Sequence, residues 1–260
     1  MVENHHPAIK PIIEIHFNNW GGTPDRLTKR WIDGRMALFM NYALKSLRLQ
    51  TVQAFQCYIL YDPQTEPIIQ AALQRYPVLP ANIRFVTPIG YKTSLAQDLQ
   101  GHRLFYRIYL SSDDLYHRNF IRALLALKPK KDTLALVPQY GYIYDSVQDR
   151  LGKFFFWLPS YGATIHSVDE FLAIKQFRYS WRDALKIPHE FIHLKEPIWI
   201  NHIHAFNTGM SFDKALSWQI KGVTDASTLE PWSDSSRSFA CFGPEITRPA
   251  EKKQILTQFY

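Results

Sequence analysis

The fold class is decided by the segment Arg103-Leu-Phe-Tyr-Arg-Ile-Tyr-Leu-Ser-Ser-Asp-Asp114. Its run of apolar and aromatic residues predicts a strand, which stops at two hydroxyl residues and the adjacent carboxylates Asp113 and Asp114. Residues 118–127 then have the apolar spacing of a helix. Ligands of open α/β sheets bind beside the carboxyl ends of strands, so the two carboxylates are candidate ligands for Mg²⁺ or Mn²⁺. The alternative is that they cap the following helix, because Asp is a favoured N-cap residue.

Predicted strands and helices alternate on the amino-terminal side of this segment. The hydrophobic pattern predicts strands at residues 12–17, 55–61 and 82–87, and helices at residues 32–47 and 67–76. Strands separated by helices favour right-handed crossovers between parallel strands. The sequence therefore predicts an α/β fold with a largely parallel sheet flanked by helices.

The pattern changes after residue 131. Shorter strands at hairpin-like spacing are predicted at residues 133–137, 140–144, 153–158 and 194–204. This is typical of a mixed half that follows the parallel half in one continuous domain. A tail rich in Ser, Pro and charged residues comes last. The predicted boundaries are 1–131 for the first half, 132–223 for the second half and 224–260 for a carboxyl-terminal extension.

Composition limits the class of protein and its partners. With 46% hydrophobic and 20% charged residues, the 260-residue chain is globular rather than disordered. The chain has two cysteines, no visible signal peptide and no apolar segment long enough to cross a bilayer. These features favour a cytoplasmic protein. The net charge of +7 favours an anionic partner, such as a nucleotide, a phosphorylated substrate or a membrane surface. Nucleic-acid binding is not expected, because no basic stripe or known binding module accompanies the charge.

Residues 31–62 carry a recognisable pattern. On the first long helix it consists of Arg35, Leu38-Phe39, Tyr42, Ser46-Leu47 and Gln50-Thr51, and Asp62 then ends the second strand. This pattern resembles the rhamnosyltransferase family of bacterial glycosyltransferases. The family's Arg-Leu-Asp-x-Asp-Asp motif falls on residues 109–114, and its late Trp, His and Asn are matched by Trp199, His202 or His204, and Asn207. The resemblance implies a GT-A-like fold, in which a nucleotide-sugar-binding sheet holds a divalent cation on an acidic loop.

The resemblance and the chemistry of glycosyl transfer together suggest roles for individual residues. Mn²⁺ or Mg²⁺ would be held by Asp113 and Asp114, with His202 or His204 as a later ligand. The expected contacts with the nucleotide sugar are His16, Asn18, Arg35, Asp62 and Ser112. The candidates for the base that takes the acceptor proton are Asp145 and Asp169, with Glu170 beside the latter.

Departures from the family pattern leave other interpretations open. Ser111 replaces the first carboxylate of the motif, and Tyr109 and His16 stand where the family has arginines. One alternative is therefore a catalytically impaired member of the same fold that binds a nucleotide, a glycan or a protein partner. Another is a metal-dependent hydrolase built from the histidines His189, His193, His202 and His204.

The predicted function is a metal-assisted glycosyltransferase with a nucleotide-diphosphate donor. The resemblance implies rhamnose or another deoxysugar as the transferred group, and a glycan or lipid-linked molecule as the acceptor. A positively charged protein of this kind is expected in the cytoplasm, with peripheral attachment to the anionic inner face of the membrane.

Overall fold

The computed structural model describes residues 9–192, 196–207, 210–232 and 239–260. The strands are β1 (Lys10–His16), β2 (Gln56–Leu60), β3 (Ile83–Val86), β4 (Leu104–Tyr109), β5 (Leu115–Tyr116), β6 (Ala135–Val137), β7 (Tyr140–Asp145), β8 (Arg150–Phe156), β9 (Ala163–Ser167), β10 (His189–Phe191), β11 (Trp199–Ile203) and β12 (Ala240–Glu245). The helices are α1 (Lys29–Asn41), α2 (Ala43–Arg48), α3 (Glu66–Leu73), α4 (Pro88–Asp98), α5 (Phe120–Ala126), α6 (Val168–Ile174), α7 (Phe212–Leu216) and α8 (Pro249–Leu256). Short 3₁₀ turns cover Pro24–Leu27, Pro63–Thr65, Trp181–Asp183 and Ala226–Thr228. None of the helices in these ranges is long and apolar enough to span a membrane.

The first sheet is largely parallel. In the described part of the chain its seven strands have the order β10-β6-β9-β4-β1-β2-β3. Parallel pairing joins β4 to β1, β1 to β2, β2 to β3 and β10 to β6, whereas β9 runs antiparallel to both of its neighbours. The predicted fold class, α/β with a largely parallel sheet flanked by helices and a mixed second half, is confirmed.

Helices cover both faces of this sheet. Successive side chains of β1 point to opposite faces and therefore enter two different cores. Ile13 and Ile15 belong to the main core, which includes buried residues of α1, α2, α3 and α5. Ile12 lies on the other face, with Leu95 of α4 and Phe171 of α6. The amino-terminal strand is therefore buried on both sides, as its nearly continuous apolar sequence requires.

The second sheet combines segments from the whole chain. Its five strands, counted over the described residues, have the order β12-β8-β7-β11-β5. The strand β5 comes from the predicted first half, whereas β6, β9 and β10 of the second half join the first sheet. The two halves are thus interleaved, and the predicted boundary at residue 131 does not separate the sheets.

In the tail that was predicted as a carboxyl-terminal extension, the described residues pack on the second sheet. Strand β12 pairs with β8, and Phe259 beyond α8 is 1% exposed. Cys241 and Phe242 of β12 are buried as well. A short apolar strand inside a polar tail has little signal in composition, because its stability comes from the sheet that it joins.

One predicted helix is divided in two. Residues 32–47 are shared by α1 and α2, because Tyr42 between them has φ −125° and ψ −78°, outside the helical region. The ring centroid of Tyr42 lies 3.9 Å from that of His202 and 5.4 Å from that of Tyr260. The break therefore brings an aromatic ring from the first layer of helices against the second sheet.

Candidate functional site

The strand order of the first sheet reverses between β1 and β4. From β1 the chain adds β2 and β3 on one side, and β4 then pairs on the other side. Parallel strands end at the same edge, so His16 at the end of β1 stacks on Tyr109 at the end of β4, with ring centroids 5.7 Å apart. Open α/β sheets bind their ligands at such a switch point, outside the carboxyl ends of the strands.

A cavity of ≈ 560 Å³ lies at this switch point. We call it the switch-point cavity. Its volume falls within the range of small-molecule sites. The residues that dominate its lining come from the two strand ends, the loop after β1 and the 3₁₀ turn before β10: His16, Trp20, Arg107, Tyr109, Trp181 and Arg182.

A buried ion pair lines one side of the switch-point cavity. Arg107 donates two hydrogen bonds to Glu14, from Nε to Oε1 and from Nη2 to Oε2, each 2.8 Å long. The hydroxyl of Tyr91 also donates to Glu14 Oε1. Burial acts to raise the pKa of Glu14, but the Arg107 charge and these donors hold that pKa below its ordinary value. Glu14 is therefore ionised and compensates the charge of Arg107.

Aromatic rings form the walls of the cavity. Tyr109 lies between His16 and Trp181, at centroid distances of 5.7 and 5.8 Å. Trp20 is 43% exposed, and the guanidinium carbon of Arg182 lies 5.0 Å from the Trp181 ring. Burial lowers the pKa of His16, so this ring is neutral at neutral pH. Arg182 lines the cavity and adds positive charge to it, and this charge also helps to lower the pKa of the neighbouring Asp183.

The first of the predicted metal ligands, Asp113, lies in a cluster of ion pairs beside the cavity wall. Its Oδ2 accepts hydrogen bonds from Arg35 Nη1 and from His204 Nε2, each at 2.7 Å. Burial favours the neutral carboxyl, but the His204 hydrogen bond and the Arg35 charge prevail and lower the pKa of Asp113. Two residues earlier, Ser111 hydrogen-bonds with Tyr109, which connects the cluster to the cavity wall.

Asp114 is more deeply buried, and its carboxyl group holds β11 in place. Its Oδ1 accepts the backbone N–H of His202 at 2.9 Å, and its Oδ2 accepts the hydroxyl of Tyr161 at 2.9 Å. Burial in the first place, and then the charge of Asp113, raises the pKa of Asp114 to about 7. Asp114 thus acts as a buried hydrogen-bonding group between two strands.

This cluster does not fit a divalent cation. Mg²⁺ and Mn²⁺ need several oxygen or imidazole donors directed at one point, but apart from Asp113 Oδ1 the carboxylate oxygens here already accept hydrogen bonds from protein groups. His202 Nδ1 donates to the carbonyl of Asp113 at 3.0 Å, and its Nε2 lies 2.8 Å from Ser146 Oγ. The guanidinium of Arg35 supplies the positive charge next to Asp113. Over the described residues, no group of three or more His, Cys, Asp or Glu is arranged to hold a metal ion. The structure therefore does not support the predicted ligand set of Asp113, Asp114, His202 and His204.

Of the residues predicted to contact the nucleotide, His16 lines the switch-point cavity. Asn18 is fully buried instead: its Oδ1 accepts the Asp62 N–H at 2.9 Å and its Nδ2 donates to Thr65 Oγ1 at 3.0 Å. Asp62 caps the following 3₁₀ turn. Asn18 and Asp62 therefore fasten the ends of β1 and β2 together and do not face the cavity.

Arg35 and Ser112, which were also predicted to contact the nucleotide, do not line the switch-point cavity. Arg35 pairs with Asp113, as described above. Ser112 is 4% exposed and is not part of the cavity lining. The reason is that the residues after β4 pack toward α1 and the second sheet, where Asp113 meets Arg35 and Asp114 meets His202.

Asp145, the first candidate for the base, has a structural role. It ends β7, and its Oδ1 accepts the backbone N–H groups of Val147 at 2.8 Å and Gln148 at 3.0 Å. An aspartate that accepts from the next residues stabilises a turn. Asp145 therefore closes the connection to β8, and the structure does not support its assignment as the base.

The second candidate, Asp169, lies at the wrong edge of the sheet. It is exposed in the first turn of α6, directly after Ser167 and Val168. Ser167 pairs with Leu104, the first residue of β4, whereas the switch-point cavity lies at the last residue of that strand. Asp169 and its neighbour Glu170 are therefore separated from the cavity by the length of β4.

Of the histidines of the hydrolase interpretation, His202 and His204 lie side by side, with ring centroids 5.3 Å apart, but His189 lies in another sheet. His189 lies in β10 at the edge of the first sheet, with Nδ1 2.9 Å from the carbonyl oxygen of Ile187. His202 lies in β11 of the second sheet, with His204 directly after it. His193 falls outside the described residues. The described part of the chain therefore does not support a shared histidine metal site.

Of the six residues that dominate the cavity lining, sequence reasoning predicted only His16 as a contact and missed the others: Trp20, Arg107, Tyr109, Trp181 and Arg182. The sequence contains a signal for Arg107, because it is a charged residue inside an apolar predicted strand. Glu14 is a charged residue of opposite sign inside another such strand. Buried charges are rarely unpaired, so two such residues are expected to face each other. Trp181 and Arg182 follow a segment without periodicity, and no sequence pattern placed them at the sheet edge.

Comparison with known proteins gives a distant similarity in structure. No protein-family model matches the chain, and no curated protein matches it. Among solved structures, TarS residues 1–349 of S. aureus in complex with UDP-GlcNAc aligns with 10% identity and a TM-score of 0.42, over 75% of this chain and 58% of TarS 1–349. TarS 1–349 without that ligand aligns with 9% identity and a TM-score of 0.38, over 75% of this chain and 60% of the other. For 4-diphosphocytidyl-2C-methyl-D-erythritol synthase from Anaerococcus prevotii the identity is 11% and the TM-score 0.33, over 76% and 87% of the two chains. The chain thus spans less than two thirds of the TarS structures that it matches.

Proposed function

We propose that the protein is a glycosyltransferase that binds a nucleotide-sugar donor in the switch-point cavity. The observation that supports this proposal is the combination of guanidinium groups and aromatic rings at the switch point of an α/β sheet. Arginine forms charge-assisted hydrogen bonds with phosphate, and aromatic rings stack on nucleobases. A nucleoside diphosphate has both of these chemical parts.

The two arginines have different roles in this proposal. Arg182 brings a positive charge to the cavity lining, and it stabilises the diphosphate as the bond to the sugar breaks. The charge of Arg107 is compensated by Glu14, so Arg107 orients the neighbouring groups and adds little net charge. Trp181 and Trp20 are the surfaces for the base.

The transfer breaks the bond between the anomeric carbon and the phosphate oxygen, and the diphosphate leaves with the bonding electrons. A new bond forms between that carbon and the acceptor oxygen, whose proton passes to a base. We assign the base to Asp113, because its lowered pKa keeps it ionised and its side chain is 16% exposed. Both of its described hydrogen bonds use Oδ2, so Oδ1 is the oxygen that accepts the proton. No step is assigned to a metal ion, since the cluster does not fit one.

The sugar and the acceptor follow from the family resemblance of residues 31–62 and 109–114. We propose rhamnose or another deoxysugar as the transferred group and a glycan or lipid-linked molecule as the acceptor. The net charge of +7 supports peripheral attachment to an anionic membrane surface at the cytoplasmic side.

The test is a titration of the full chain with UDP, dTDP, GDP, CDP and ADP in EDTA, by thermal shift and calorimetry. One nucleotide is expected to bind and to raise the unfolding temperature, because a ligand stabilises the state that binds it. Arg182→Glu is expected to abolish this effect. Arg122→Glu is the matched control, since Arg122 is exposed on α5, away from the cavity lining. Equal losses in the two variants, or no binding of any nucleotide, would contradict the proposal.

A second candidate is a nucleotide-binding protein without transferase activity. One observation favours it: Asp113 and Asp114 accept hydrogen bonds from protein groups, and Ser111 replaces the first carboxylate of the motif. Mass spectrometry of the bound donor sugar separates the two functions. Slow release of free nucleoside diphosphate, in which water takes the sugar in place of the acceptor and which is lost in Asp113→Asn, supports the transferase. A donor that stays intact after long incubation supports the binding protein.

A further inference from the structure

Two shallow cavities continue from the switch-point cavity along α4 and α6. The first, of ≈ 470 Å³, shares Arg107 and Ser180 with the switch-point cavity. The second, of ≈ 510 Å³, shares Lys92 and Lys175 with the first. The shared residues make the three cavities neighbours, and we call the two shallow ones together the basic groove. Its characteristic lining residues are Lys92, Lys175, Phe177, Arg178 and Tyr179.

The basic groove has a surplus of positive charge. Lys92 and Lys175 are exposed, and neither forms an ion pair with another described residue. The carboxylate of Asp183 also lines the groove, but it accepts the N–H of Ser180 at 2.8 Å and the Ser180 hydroxyl at 3.0 Å. Asp183 keeps its negative charge, but the two ammonium groups outnumber it. The arginines of the groove add little net charge, because Arg178 pairs with Glu170 at 3.6 Å and Arg107 with Glu14 at 2.8 Å. Uncompensated ammonium groups along a concave surface attract anionic ligands.

Lys175 stands at a backbone position where glycine is usual. It ends α6 in the left-handed conformation, with φ 53° and ψ 30°, and its N–H donates to the carbonyl of Phe171 at 2.7 Å. A residue with a Cβ atom strains this conformation, and glycine relieves the strain. The lysine side chain lines both shallow cavities. A strained residue that presents its charge to two cavities favours a role for that charge in binding.

Aromatic rings accompany these charges. Phe177 lies under the guanidinium carbon of Arg107 at 3.7 Å, and Tyr179 stacks on His166 at a centroid distance of 4.5 Å. Both rings are half-buried and line the groove nearest to the switch-point cavity. Half-exposed rings suit the apolar faces of sugars.

We propose that the basic groove binds the acceptor of the transfer reaction, and that this acceptor is an extended chain carrying phosphate groups. Its phosphates contact Lys92 and Lys175, and its growing end reaches the switch-point cavity past Phe177 and Tyr179. The inference rests on the proposed function, because it takes the transferred sugar from a donor in that cavity.

The test uses the full chain with medium-length linear inorganic polyphosphate as the probe, by calorimetry in EDTA. The double variant Lys92→Glu/Lys175→Glu is expected to weaken binding by about tenfold or more, since two attractive contacts become repulsive. The matched control is Lys128→Glu/Lys131→Glu, which changes the net charge equally on another exposed surface. It is expected to change affinity by less than about twofold, because distant charges are screened. Equal weakening in both double variants would overturn the proposal.

Lys175→Gly separates binding from structure. The proposal expects weaker polyphosphate binding with an unchanged or higher unfolding temperature, because glycine removes the strain but also the charge. Unchanged polyphosphate binding would overturn it. Vesicles that contain phosphatidylglycerol are the second probe. Binding of vesicles without binding of soluble polyphosphate would overturn the proposal in favour of a membrane surface.

Nucleoside diphosphate binding is measured in the same variants. It is expected to be unchanged in Lys92→Glu/Lys175→Glu, and a parallel loss would overturn the assignment of the groove to the acceptor. Failure of the unmodified chain to bind any nucleoside diphosphate would instead remove the proposed function. The two failures are thus read from separate titrations.

Discussion

Arg35 on α1 donates a hydrogen bond to Asp113, 78 residues later in the chain, at an Nη1–Oδ2 distance of 2.7 Å. The two side chains are 18% and 16% exposed, so water screens the ion pair only in part. The contact joins the first long helix to the acidic segment after β4. The guanidinium of Arg35 thus lies beside the carboxylate that the family resemblance assigns to a metal ion. Asp113 forms an ion pair with this guanidinium.

Replacement of Arg35 by methionine is expected to lower the free energy of unfolding by about 2 kcal/mol, because it leaves a largely buried carboxylate without its charged donor. Urea denaturation measures this change. Asp113→Asn in the Arg35→Met background is the control, and it should recover part of the loss because the unpaired charge is gone. Additive losses in the double variant would show that the two side chains are not coupled.

Nucleotide binding is expected to be independent of divalent cations. Most donors of the Asp113 cluster are engaged by protein groups, so we expect no Mn²⁺ site there that links the ion to phosphate. The affinity for the preferred nucleoside diphosphate should therefore agree within about twofold between EDTA and Mn²⁺. Calorimetry in the two buffers tests this expectation. Strict dependence on Mn²⁺, with loss of the ion in Asp114→Asn, would restore the metal-assisted site.

Stability is expected to fall in acid because of buried neutral histidine. Burial in the first place, and then the charge of Arg107, lowers the pKa of His166 to about 3 from its ordinary 6.5. Below pH 6.5 the unfolded chain takes up a proton that the folded chain excludes, so the free energy of unfolding decreases as the pH falls toward 3. This one group contributes a slope of about 1.4 kcal/mol per pH unit.

The variant His166→Phe tests this slope and keeps the stacking on Phe105 and Tyr179. Urea denaturation from about pH 7 to about pH 4.5 gives the free energy of unfolding as a function of pH. Its slope in the variant should be smaller by the amount that corresponds to uptake of about one proton on unfolding. The control is His102→Phe, for a half-buried histidine outside this stack. Identical slopes for the unmodified chain and His166→Phe would mean that His166 is protonated when folded.

Lys175→Gly is expected to raise the free energy of unfolding by roughly 0.5–1 kcal/mol. Relief of the left-handed conformation outweighs the greater freedom that glycine has in the unfolded chain. Lys175→Ala keeps a Cβ atom while removing the charge, and it should leave stability near that of the unmodified chain. Destabilisation by glycine and not by alanine would contradict the strain assigned to this position.

The sequence predicts most of the parallel sheet, because β1, β2, β3 and β4 are apolar runs bounded by turn residues, and their observed ends lie within about two residues of the predicted ones. It does not predict β5 or β9. The two residues of β5 are too few for a periodic pattern, and β9 contains Thr164 and His166, whose burial depends on the strands beside them. Such strands form because a sheet edge is available.

The site is less accessible to sequence reasoning than the sheet. His16 could be placed near a ligand because it ends a strand, and strand ends are a local property. The pairing of Arg35 with Asp113 depends on the position of α1 across the sheet, which no local pattern encodes. Trp181 and Arg182 reach the cavity on a 3₁₀ turn that is held by the Ser180–Asp183 capping interaction, so their role follows from tertiary structure.

The central claim is that a nucleoside diphosphate binds at the switch point without a metal ion. A crystal structure of the protein soaked with its preferred nucleotide and Mn²⁺ tests this most directly. The account predicts phosphate density beside Arg182, a base against Trp181 or Trp20, and no anomalous peak between Asp113 and Asp114. A manganese peak at those carboxylates that bridges to phosphate, with Arg35 displaced, would contradict it.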